Sequence, residues 1–196
     1  MKILLLGDRE CPSLWDYYHT GALSDYDIIL STGDLDAEYL SFIVTMARAP
    51  VLYVHGNHDG SYEKFPPEGC DCIEDDLVIC KGLRILGLGG CPEYNGGPHQ
   101  YSENQMRRRI RRLHKKIRKA GGVDIVLTHA PAAGYGDAKD HAHKDFECFV
   151  ELIERYHPRY LIHSHVHLNY GHGIPRILQK DDTTIINAYE RFDLEV

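Results

Sequence analysis

The chain has 196 residues, a length at which one domain, here residues 1–196, buries most of its surface and needs no disulfide or metal to fold. Hydrophobic residues make up 43%, which excludes a disordered chain, and no apolar run approaches the roughly 20 residues of a membrane span. The net charge of −7 conceals an asymmetry: residues 107–119 hold nine of the 22 Lys and Arg, leaving 13 basic against 29 acidic residues elsewhere, which argues against a general nucleic-acid binder.

Met1-Lys2 leads into an apolar run without a signal-peptide layout, so a cytoplasmic location is expected. "KILLLG" (2–7), "DIILST" (27–32) and "VLYVHG" (51–56) are short apolar runs closed by turn residues, as buried strands are. A short helix is expected near Leu14–Leu23, and a longer one over 35–49, where the spacing is helical and Pro50 stops it. "LVICK" and "RILGLGG" suggest a hairpin after the Pro/Gly-rich loop 65–70. In the basic segment Met106, Ile110, Leu113 and Ile117 recur at helical spacing, so its arginines and lysines are expected on the solvated face. "DIVLTH" (124–129) predicts a strand, 145–156 a helix ended before Pro158, and "YLIHSHVH" (160–167), "IPRILQ" and "TTIINA" the closing strands. The six cysteines form no paired CxxC motif and are read as reduced thiols, Cys70-Asp71-Cys72 included. The order of elements predicts an α/β fold of two packed mixed sheets covered by helices.

Polar residues gather where these strands stop: Asp8 after the first, Asp34 in "STGDLD", Asn57, His58 and Asp59 in "GNHD", His129 in "THAP", and His165 and His167 in "HSHVH". Each motif alone reads as a turn or cap. Five strand ends bringing oxygen and imidazole ligands to one crevice suit a pair of divalent cations of intermediate hardness.

The order "GDRE", "TGDLD", "GNHD", "THAP", "SHVH" resembles that of the calcineurin-like metallophosphoesterases, over residues 1–170. Within that family the chain is most similar to the small, cap-free bacterial phosphodiesterases. The resemblance implies a four-layer αββα sandwich and two metal sites, one from Asp8, the residue at position 10, Asp34 and His167, the other from Asp34, Asn57, His129 and His165, with Asp34 shared. His58 would act on the transition state or leaving oxygen, as an imidazole can, and with Asn57 would contact a small phosphate-ester substrate, to which the loop carrying His99 is a further candidate contact.

Three positions depart from the family pattern: Glu10 stands for His, Ser164 for Gly, and Ala37 for the Asp that in some relatives orients the catalytic His. Glu10 could ligate the first metal, point away, or mark a lost site; ligation is favoured because Glu reaches about as far as imidazole. A third carboxylate makes the site less positive, which predicts diesters over monoesters and Mn²⁺ over Zn²⁺; two divalent ions are expected, Mn²⁺ first, with Fe, Zn and Ni as the alternatives. Asp36, Glu38 and Asp59 are candidate partners of His58. "GLGG" (87–90) and the loop 91–101, with Tyr94, Asn95 and His99, are weaker candidates for phosphate and substrate contact. A non-catalytic scaffold of the same fold, such as the one in retromer, and a nuclease using the basic helix are the competing readings; a homo-oligomer is left open.

Overall fold

Every residue of β1 (Lys2–Leu6) after the first is buried, with Ile3 and Leu5 on one face and Leu4 and Leu6 on the other. A strand apolar on both faces must be covered on both. The computed structural model, which describes residues 1–136, 145–168 and 174–196, shows how.

One sheet runs β13 (Phe192–Glu195), β1, β2 (Ile28–Ser31), β3 (Val51–Tyr53), β4 (Asp71–Cys72). The other runs β11 (Ile177–Lys180), β12 (Thr183–Asn187), β10 (Tyr160–His163), β9 (Ile125–Thr128), β6 (Leu83–Leu88), β5 (Asp76–Cys80). Both are mixed: β1, β2 and β3 are parallel with β13 antiparallel at the edge, and β6, β9, β10 and β12 are parallel between antiparallel β5 and β11. A small ribbon joins β7 (Cys91–Pro92) to β8 (Gln100–Tyr101).

Three apolar layers separate four layers of structure. Ile3, Leu5 and Leu30 face Ile85, Leu127 and Ile162 between the sheets. Leu4, Leu6 and Ile29 meet Tyr39, Leu40 and Ile43 of α1 (Ala37–Met46). Leu86, Val126 and Leu161 meet Ile110 and Leu113 of α2 (Glu103–Ala120) and Phe149 and Leu152 of α3 (Glu147–Tyr156). This is the expected α/β sandwich with helices outside.

Helix ends follow local chemistry. Asp36 caps α1 by accepting the Glu38 N–H at 2.9 Å, so the helix begins two residues later than its periodicity suggests. Ser102 and Gln105 form a capping box at α2, and Gly121, at φ +77°, ends it.

Two expectations need correction. The helix near Leu14–Leu23 is only a 3₁₀ turn at Pro12–Leu14 followed by turns. Trp15 leaves helical backbone, and its ring and that of Tyr18 pack edge-on against Phe42 of α1, a tertiary contact that outweighs local propensity. At the other end the chain adds β13, an edge strand whose "FDLE" exposes alternate residues and carries little apolar signal.

Candidate metal centre

The carboxyl ends of β1, β2 and β3 lie against those of β9 and β10. The loops leaving them are stitched together by main-chain bonds: the Asp8 N–H donates to the Gly33 carbonyl at 3.1 Å and the Ser164 N–H to that of His129 at 2.9 Å. The turns are tight. A Cβ on Gly33, whose φ is +93°, would fall 2.1 Å from the Gly56 nitrogen, and a Cβ on Gly56 would fall 2.0 Å from Asp34 Oδ1. Asp8, Asp34 and His165 themselves have left-handed backbone, with φ of 59°, 55° and 65°. Asp and His tolerate that conformation better than most residues.

Ligand atoms of Asp8, Asp34 and His129 all lie within 4.8 Å of one another. His129 is fully buried, and its Nδ1 lies 2.9 Å from the Thr32 carbonyl oxygen. A carbonyl has no proton to give, so Nδ1 donates; burial pushes the imidazole down to about 3, so the ring is neutral and Nε2 carries a lone pair. That nitrogen lies 3.0 Å from Asn57 Oδ1, 3.1 Å from His165 Nδ1 and 3.4 Å from Asp34 Oδ2. The Asn57 and Asp34 oxygens bring lone pairs toward a nitrogen that presents its own, and these repel unless a cation sits among them.

Asp8 gives the second sign. Its Oδ2 accepts the His165 N–H at 2.8 Å, but Oδ1 is buried with no hydrogen-bond partner among the described residues. Burial, then the charge of Asp34, raises its carboxyl well above the ordinary range. An unpartnered buried carboxylate oxygen is costly unless something positive meets it. The residues present therefore fit divalent cations.

The other predicted site residues fall as follows. Glu10 lies outside the three-residue cluster; its Oε1 accepts the Asp36 N–H at 2.9 Å. His167 packs its ring against Tyr189, with centroids 4.8 Å apart, within electrostatic reach of Asp34. His58 has a side chain 75% exposed, and its Nε2 stands 4.0 Å from Asp34 Oδ2. With Glu10, Asp34 and Phe65 it lines a cleft of about 470 Å³. His99 lies flat on His55, with centroids 4.4 Å apart and planes 7° from parallel, and not against Asn57 or His58.

Asp59 is not the partner of His58. Its Oδ2 accepts the N–H of Asp34 at 2.8 Å and of Gly56 at 2.7 Å, tying two of the loops together. Burial, then the nearby charge of Asp34, pushes its carboxyl up to about 7. Asp36 is the helix cap already described. The "GLGG" turn offers less to a phosphate than its composition suggests, because the Gly90 N–H donates to the His55 carbonyl at 2.7 Å. The loop 91–101 does reach the centre: the Asn57 amide donates from Nδ2 to the Tyr94 hydroxyl at 3.2 Å.

A buried ion network behind the centre was invisible in the sequence. Arg109 is 7% exposed and does not share the solvated face expected of the basic helix. It donates to Asp75 at 2.7 Å, to the Gly89 carbonyl at 2.9 Å and to Glu74. Glu74 also accepts from the backbone N–H of His55 at 3.0 Å and lies 3.1 Å from its Nδ1. Burial alone would raise the Glu74 carboxyl, but His55 and Arg109 hold it below its ordinary value.

A family model described as Calcineurin-like phosphoesterase matches residues 1–169. The chain is similar to a UPF0046 protein of Caenorhabditis elegans, 23% identical over 221 residues that cover 96% of this chain and 69% of that protein. A second UPF0046 protein of that organism is 28% identical over 101 residues, 50% of this chain and 24% of its own length. Human metallophosphoesterase domain-containing protein 1 is 25% identical over 203 residues, 83% of this chain and 59% of that protein. The chain thus spans only part of each relative. No helix among the described residues is long and apolar enough to cross a membrane.

Proposed function

Because this chain belongs to the calcineurin-like phosphoesterase family, we propose that it is a metal-dependent phosphodiesterase working where the strand ends meet. The observation that carries this reading is the convergence of Asn57 Oδ1, Asp34 Oδ2 and His165 Nδ1 on the unprotonated Nε2 of His129. Asp34, Asn57, His129 and His165 would hold one divalent ion, and Asp8, Asp34, His167 and Glu10 a second, Mn²⁺ being the best match to this mixed donor set. Bound divalent ions supply Lewis-acid activation of water and charge neutralisation at the phosphoryl group.

The chain's own residues do the rest. His58, exposed at the cleft, holds a proton at Nε2 and gives it to the departing alcohol oxygen. Asn57 is fixed in orientation by Tyr94, and with His58 it contacts the phosphoryl oxygens. The Thr32 carbonyl keeps His129 in the tautomer that presents a lone pair. Glu10 adds a third carboxylate, which lowers the pull on a monoester dianion more than on a diester monoanion. The 470 Å³ cleft admits a small diester.

The test is metal content after chelation and reloading with Mn²⁺, alongside turnover of a chromogenic diester and the matching monoester. Two metals, diester preference, and a loss of roughly 10²–10⁴-fold in turnover for His58→Ala at unchanged metal content are expected. Equal turnover for wild type and His58→Ala would remove the reading. A scaffold is the second reading, favoured by the engagement of Glu10 Oε1 on Asp36. One metal in both wild type and Glu10→Ala, with no turnover, would support it.

A further inference from the structure

The outer surface of the second helix layer carries a groove between α2 and α3. Two adjoining hollows, about 270 and 450 Å³, share His114, Arg155 and Tyr156 as a common waist. Arg111 lines the first and Arg118 the second. All three arginines are exposed.

Their partners separate this groove from an ordinary charged helix face. Arg107 pairs with Glu103 and Glu151, and Lys116 with Asp76. Arg111, Arg118 and Arg155 have no carboxylate at ion-pair distance among the described residues. Their fields meet at His114, whose imidazole is held below its ordinary value by burial, then by Arg155, Arg111 and Arg118. Glu151 also lines the first hollow, but it is bonded to Arg107, so the three arginines leave an excess of positive charge that favours an incoming anion. Planar guanidinium groups pair bidentately with phosphate.

The waist also offers an aromatic ring. Tyr156 lines both hollows and is partly exposed; the His114 ring meets it edge-on, with centroids 5.8 Å apart at 63°, and the Arg155 guanidinium stands 5.6 Å from its centroid. A positively charged groove with an aromatic platform is the arrangement on which single strands lay their phosphates and stack their bases. An acidic peptide would satisfy the arginines but make no use of the ring. A duplex keeps its bases stacked inside and presents none to Tyr156. The rest of the chain, with 29 acidic against 13 basic residues outside 107–119, disfavours a polyanion away from the basic helix.

We propose that the α2/α3 groove binds single-stranded nucleic acid, with phosphates on Arg111, Arg118 and Arg155 and a base against Tyr156. Whole-chain charge alone predicts no such binding; the unpaired arginines do. The site stands apart from the metal centre and does not depend on the phosphodiesterase reading.

The test is fluorescence anisotropy of the metal-free full chain, in chelator, with short labelled oligouridylate and oligodeoxythymidylate. Neutralising three phosphates predicts a log–log salt slope of about −2, or roughly a 20-fold loss of affinity between about 50 and 200 mM salt. Arg118→Glu with Arg155→Glu should weaken binding at least about 10-fold and flatten that slope. Tyr156→Ala should weaken it about 5-fold or more. Circular dichroism and thermal melting check that each variant folds, and Arg118→Gln with Arg155→Gln replaces the reversals if they do not. Binding unchanged in the arginine variants would overturn the proposal. So would a duplex that binds as tightly as the single strand, or polyglutamate that displaces the oligonucleotide at equal concentration.

Discussion

Replacing Arg109 by Met tests whether the buried ion network holds up the loops of the metal centre. The substitution keeps most of the side chain's volume and removes its charge and all its donors. It deletes the bonds to Asp75 and to the Gly89 carbonyl, the contact with Glu74, and the stacking of the guanidinium 4.1 Å over the Tyr101 ring. Asp75 is half-exposed, so its share is under about 1 kcal/mol. Glu74, only 15% exposed, is left facing His55 alone. Removing one partner of a buried pair costs about 3–5 kcal/mol, which the apolar Met partly offsets, so a net loss of about 3 kcal/mol is expected. In a chain of this length that corresponds to a fall of about 6–12 °C in Tm. Urea unfolding followed by circular dichroism gives the free energy directly. The double variant Arg109→Met, Glu74→Gln should recover at least about 1 kcal/mol relative to the sum of the singles, because the stranded charge is gone. A single-variant loss below about 1 kcal/mol, or strict additivity, would refute the reasoning.

Three other substitutions probe the centre. Tyr94→Phe leaves the Asn57 amide without its acceptor, so Mn²⁺ affinity measured by calorimetry should fall about 10-fold, with little change in Tm. Asp59 has a folded pKa of about 7, above its unfolded value of about 4, so in the metal-free protein its contribution is fully present below pH about 4 and is lost as pH rises to about 7. Asp59→Asn should therefore gain stability on wild type across that window, by up to about 1.4 kcal/mol per pH unit; a difference independent of pH would count against the burial argument. Gly33→Ala forces a side chain into left-handed backbone and into the Gly56 nitrogen, and should lower Tm by at least about 4 °C, the shift for a floor of about 2 kcal/mol; a smaller shift would mean that the loops yield easily.

The strands of the core were legible because burial on both faces writes itself as continuous apolar runs, and "KILLLG" or "DIVLTH" admits few other readings. The meeting of Asp8, Asp34 and His129 was legible because ligands sit at strand ends, where topology brings them together. What stayed hidden depends on partners distant in sequence. Arg109 sits among eight other basic residues of the segment, and only the fold shows that it faces Glu74, 35 positions away. The Thr32 carbonyl that orients His129 acts through the main chain, so no side-chain identity announces it. Asp59 looks like a neighbour for His58 in the string "GNHD", but a 3₁₀ turn over Asp59–Glu63 turns its carboxylate back onto the loop amides.

The left-handed backbone at Asp8, Asp34 and His165 bears on how this centre can change over generations. A branched or bulky side chain at any of them would incur about 1–2 kcal/mol of backbone strain on top of the lost polar contacts. Gly and Asn escape most of that penalty. A lineage that gave up the metals would therefore drift at these three sites toward Gly or Asn, leaving a recognisable scar. Glu10, Ser164 and Ala37, where this chain leaves the family pattern, all lie outside left-handed backbone. Its departures have come where the main chain sets no toll, and the three positions that do set one still carry Asp, Asp and His.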